Sequence, residues 1–96
     1  MEAENEGQKS MDVTFKVLAE VAAERVSQDK AFCQQDHDFG TWSKILIEQI
    51  GDASKATMNV AESKNPGSEA AIRKELVQAA AVAVAMIESF DRGKCR

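Results

Sequence analysis

Between Leu76 and Ile87 the chain places a single polar residue, Gln78, in an otherwise apolar run rich in alanine. With one proline and few glycines in the chain, the run reads as part of a long helix that is apolar all round. Such a helix is stable in water only when every side is covered. A chain of 96 residues offers few helices to do the covering. The expectation is therefore an all-α antiparallel helical bundle that a second copy of the chain completes. The alanines from Ala79 to Ala81, with Ala83 and Ala85, would let neighbouring helices approach closely.

The remainder of the chain supports helices. One proline and five glycines are too few for a many-turned β fold. A first helix is expected from Asp12, as N-cap, to about Lys30, with an apolar stripe of Phe15, Leu18, Val21, Ala22 and Val26. Residues 1–10 read as a flexible acidic tail ahead of one helical domain, 11–96. A polar stretch from Phe32 to Gly40 leads to a second helix, capped by Thr41 and running to about Ser63. Its expected stripe is Leu46, Ile50, Ala53, Thr57 and Val60. Asn65-Pro66-Gly67-Ser68 is a turn, Ser68 would cap the third helix, and Gly93 would stop it after Arg92.

Charge and cysteine content narrow the function classes. Twelve basic against sixteen acidic residues, with no Lys/Arg cluster, argue against a nucleic-acid partner. The run Ala79–Ile87 is too short to span a bilayer, and the acidic N-terminus does not read as a signal peptide, so no membrane partner and a cytoplasmic location are expected. Cys33 and Cys95 form no metal-type pair. Reduced thiols are the simple reading, and a Cys33–Cys95 disulfide stays open. Cys33 and His37 are spaced like half a zinc site that has no second half.

On the second helix, Lys44, Glu48, Asp52 and Lys55 share a stripe. One reading is a solvated face laced by Lys44–Glu48 and Asp52–Lys55 pairs. The other starts from Gln49, at the apolar edge among Ile45, Ala53 and Ala56, facing inward. Glu48 and Asp52 are like charges one turn apart, and a cation between helices would relieve them. On the third helix, Glu75 and Gln78 lie on one side, where they could face Gln49 and Asp52. Trp42 suits either a core role or stacking on a base; Arg25 and Lys55 suit ion pairing or phosphate. His37, between Asp36 and Asp38, reads as a surface loop or a phosphate or metal contact.

The order Glu24-Arg25, Gln28-Asp29, Trp42, then Ile45 to Asp52, Lys55-Ala56 and Glu75 to Val82 resembles the MazG-like all-α nucleotide pyrophosphohydrolases, over roughly Leu18 to Arg92. The resemblance implies a Mg²⁺-dependent (Mn²⁺ as substitute) enzyme that splits a nucleoside triphosphate into monophosphate and pyrophosphate, as a homodimer or dimer of dimers. The family's E-E-x-x-E motif falls on Glu48 to Asp52 and its E-x-x-D motif on Glu75 to Gln78. The implied metal set is Glu48, Gln49, Asp52, Glu75 and Gln78, with Glu48, Asp52 and Glu75 catalytic and Arg25, Trp42 and Lys55 binding substrate. Two of the family's four metal-ligating carboxylates are amides here, Gln49 and Gln78. An amide oxygen brings no negative charge to a hard cation, so the implied activity is reduced or lost. The alternatives are a non-catalytic nucleotide-binding or regulatory helical dimer, or a structural protein-interaction module.

Overall fold

The computed structural model describes residues 6–63 and 67–94, and all of its regular structure is helical. Helix α1 spans Glu6–Phe32, α2 spans Phe39–Ser63 and α3 spans Gly67–Asp91. Helix α1 begins well before Asp12, which sits inside it rather than capping it, and Glu6 to Ser10 of the expected tail are helical. Asn65-Pro66, Cys95 and the first five residues lie outside the described residues, as do the side chains of Val60 and Ser68.

The helix ends follow from local chemistry. The cap of α2 is Asp38, not Thr41: its Oδ1 accepts the Thr41 backbone N–H at 2.7 Å, and its carbonyl accepts the Trp42 N–H at 3.0 Å. A carboxylate outcompetes a hydroxyl here because it also carries charge against the positive end of the helix. At the other extreme, Gly93 adopts a left-handed φ of 72°. Its N–H donates to Phe90 and the Lys94 N–H donates to Ser89, a Schellman ending that only glycine adopts without steric cost. Cys33 ends α1 in the same left-handed region, φ 63°, with its N–H donating to the Asp29 carbonyl at 2.8 Å. Cysteine has a Cβ, so this ending carries strain that Gly93 does not.

Helix α3 is the centre of the molecule. It packs against α2 and is crossed by α1, while α1 and α2 do not pack on each other. Trp42, near the start of α2, packs on Val82 and Ala85, near the end of α3, with Ile45, Leu46 and Met86 around them. Helices α2 and α3 therefore run antiparallel. The buried face of α2 is set by the bulk of Trp42 and includes Ala53. That face is rotated from the expected stripe: Ile50 and Thr57 point outward.

Large apolar side chains are left uncovered on every helix. Of the expected stripe on α1, only Val21 is buried, where α1 meets α3; Phe15, Leu18 and Val26 are each more than half exposed. On α2 the uncovered residues are Phe39, Ile47, Ile50 and Met58, and on α3 they are Leu76, Ile87 and Phe90. The buried positions of α3 are small: Ala79, Ala81, Val82, Ala85 and Ser89. The chain exposes 7085 Å², whereas a compact monomer of this mass exposes about 5,400 Å². Its radius of gyration is 16.2 Å, against about 12–13 Å for a compact domain of this length. No described helix is long and apolar enough to cross a membrane.

Candidate functional site

A cavity of ≈ 160 Å³ lies where the three helices come nearest one another. Helix α1 contributes Arg25, Gln28, Asp29 and Phe32 to its lining, α2 contributes Trp42, Ile45 and Gln49, and α3 contributes Val82 and Ala85. The short linker between α1 and α2 closes one side with Cys33 and Gln35.

Trp42 is 3% exposed, yet its indole Nε1 has no hydrogen-bond partner. The Gln49 Oε1 is buried and equally unpartnered. The two residues are two helical turns apart on α2, which brings both onto the cavity wall. Each unmatched buried group costs stability. The His37 ring meets Trp42 edge to face, with centroids 4.8 Å apart, and fixes the indole from the linker side.

Arg25 is held by α1 and α3 together. Its Nε and Nη2 donate to Glu88 Oε1 at 3.1 and 2.5 Å, and its Nη1 donates to Asp29 Oδ1 at 3.0 Å. Partial burial opposes its charge, but the bonds to Glu88 and Asp29 outweigh that and hold the guanidinium above its ordinary basicity. Its charge is thus already matched by two carboxylates. The spacing of Arg25 and Asp29 makes that pair readable in the sequence. The Glu88 contact is not, because it depends on where α1 crosses α3.

The linker is anchored as well. Arg92 donates from Nε and Nη2 to Asp36 Oδ1 at 3.2 and 2.7 Å. The fully buried Ser89 donates its hydroxyl to the same oxygen at 3.3 Å. Arg92 lowers the Asp36 carboxyl below its ordinary value, and the Thr41 hydroxyl and backbone N–H do the same for Asp38. The polar run around His37 is therefore a structured wall.

The remaining expected site residues lie elsewhere. Glu48, Asp52 and Lys55 are exposed, Glu75 and Gln78 are half-buried, and none of them lines the cavity. Extending the antiparallel register from Trp42 and Ala85 brings Gln49 about level with Gln78, and Asp52 about level with Glu75. Among the described residues no three His, Cys, Asp or Glu side chains gather at a point where they could hold a metal ion. The Lys44–Glu48 and Asp52–Lys55 pairs do not form; the ion pairs of the described residues are those of Arg25, of Arg92 with Asp36, and of Arg73 with Glu20.

Gln28, Gln35 and Cys33 also line the cavity, beyond the site residues that the sequence suggests. Gln28 lies one turn beyond Glu24-Arg25, and that spacing was the available signal. The chain matches no protein-family model, and neither the curated proteins nor the solved structures contain a match to it.

Proposed function

We propose that this chain is a nucleotide-binding helical dimer related to the MazG-like pyrophosphohydrolases, with its metal-dependent turnover reduced or lost. The observation that carries the reading is the interhelical cavity, which brings Arg25, Trp42 and Gln49 together. All three were singled out by residue type and spacing. The size of the cavity suits the base of a nucleotide rather than the whole molecule, leaving the phosphates toward solvent.

The reading of reduced activity rests on the amides at positions 49 and 78, which bring no negative charge to a cation. Exposed area supports the dimer reading. The chain shows roughly 1,600 Å² more surface than a compact monomer of its mass, while a stable dimer needs about 800 Å² from each partner. The uncovered apolar residues of α1, α2 and α3 are the surface concerned.

The test is a screen of nucleoside triphosphates with Mg²⁺, reading both binding and pyrophosphate release. Binding with slow or no release supports the proposal. Rapid release would restore full enzymatic status, and no binding to any nucleotide would leave a structural dimer that docks a protein partner.

A further inference from the structure

We infer that a second copy of the chain docks through α1: the α1 helices of two copies lie antiparallel, each seating its N-terminal half in the groove that the other's α1 forms with α3. The inference rests on the dimer of the proposed function and adds which faces meet. Every residue of α1 from 9 to 20 is exposed, so the first half of the helix gains little cover from α3. A helical segment of that length is marginal in water without a tertiary partner. Met11, Phe15, Leu18, Ala22 and Val26 follow at steps of four, three, four and four, which puts them on one stripe. All five are exposed.

The two sides of the crossing between α1 and α3 differ, and the difference chooses the docking side. On one side Leu18, Val21, Ala22 and Val26 of α1 meet Val84 of α3 in a groove of ≈ 360 Å³. Its polar residues, Arg25, Asp29 and Glu88, are already paired with one another. The cleft on the other side is lined by Glu20, Glu24, Arg73 and Lys74, with Arg73 paired to Glu20. Burial of apolar surface drives association, and the exposed stripe continues into the first groove through Leu18, Ala22 and Val26.

Direction follows from the unequal cover along α1. The groove backs the stripe only from Leu18 onward. A parallel pair would set Phe15 on Phe15 and leave both N-terminal halves without α3 behind them. An antiparallel pair centred between Leu18 and Ala19 sets each Phe15 across from Ala22 of the other copy, and each Met11 across from Val26. Larger side chains then fall on smaller ones, and the uncovered half meets the backed half. Opposed helix dipoles favour the same direction. The pair is two-fold symmetric, so every contact is made twice. The chain's excess surface is about twice what one side of a stable dimer buries.

The experiment uses the full chain with Cys33→Ser and Cys95→Ser, so that no native thiol competes. Met11→Cys and Val26→Cys are added singly and together, and each protein is oxidised and run on a non-reducing gel. The two positions lie about 22 Å apart along one helix, too far for a bond within a chain. The double variant should form a covalent dimer and the single variants should not, because neither residue meets its own copy. No crosslink in the double variant, or crosslinks in the single ones, overturns the inference. Sedimentation of the parent, Phe15→Glu and Ile47→Glu separates the interface from the dimer itself. Phe15→Glu should weaken self-association by about tenfold or more, and Ile47→Glu, on α2, should leave it unchanged. A dimer that Phe15→Glu leaves intact overturns the inference while the dimer reading stands. A parent that sediments as a monomer overturns both and leaves the stripe to a different protein.

Discussion

Arg92, the residue after the last turn of α3, holds Asp36 of the linker with two nitrogens on one carboxylate oxygen. The contact joins the end of the chain's most buried helix to the loop that walls the cavity. It also sets how the protein responds to acid. The Asp36 and Asp38 carboxyls both lie below the ordinary value of 3.8 in the folded state. The unfolded chain therefore binds more protons in acid than the native one, and stability rises with pH there. Their contribution is complete above about pH 4 and drains away as pH falls through the lowered values. Melting temperatures taken from pH 7 down to pH 2 should show this loss, and Asp36→Asn should flatten part of the slope. An unchanged slope in that variant would place the acid sensitivity elsewhere.

Cys33 ends α1 in a conformation that suits glycine. Cys33→Gly should relieve the Cβ clash while adding freedom to the unfolded chain, for a net gain of about 0.5–1 kcal/mol. A thermal melt reads it as a rise of a few degrees. The same substitution at Lys30, inside the helix, should lower stability by a comparable amount.

Oligomeric state is a direct prediction. Sedimentation equilibrium at micromolar concentration should give twice the chain mass. Leu18→Glu, on the half-exposed stripe of α1, should shift the equilibrium toward monomer. A parent protein that sediments as a monomer and melts cooperatively would refute the dimer.

Restoring charge tests a metal role for the two amides. Gln49→Glu with Gln78→Asp adds two carboxylates to half-buried positions. In chelator the double variant should melt lower than the parent, because the added charges repel and lose hydration. If the positions converge on a cation in the dimer, excess Mg²⁺ should restore the melting temperature and raise pyrophosphate release. If the positions do not converge on a cation, Mg²⁺ should leave the deficit in place.

Much of the architecture was legible from residue pattern, and the failures have local causes. The apolar run of α3, the glycine stop at Gly93 and the inward placement of Gln49 could be read because each depends on helical periodicity or on one residue's backbone freedom. The cap of α2 could not, since Asp38 and Thr41 are both good caps and only the hydrogen bond between them decides. The stripe of α2 is ambiguous in the sequence because aliphatic residues lie at 45, 46, 47 and 50, and the helix buries the face that carries Trp42 and Ala53. The stripe of α1 could be read, but a single chain has nothing to lay against it. The Arg25–Glu88 and Arg92–Asp36 contacts join distant parts of the chain, and no spacing rule reaches that far.

Helix α1 and helix α2 touch the same cavity but do not pack on each other; only α3 holds them together. The hairpin of α2 and α3 can therefore keep its core while α1 swings away on the linker. The ligand need not enter through a fixed mouth, since one wall can leave and return. Amide exchange along α1 should then be faster than along the paired helices, and a molecule seated against Trp42 should slow it by holding that wall in place.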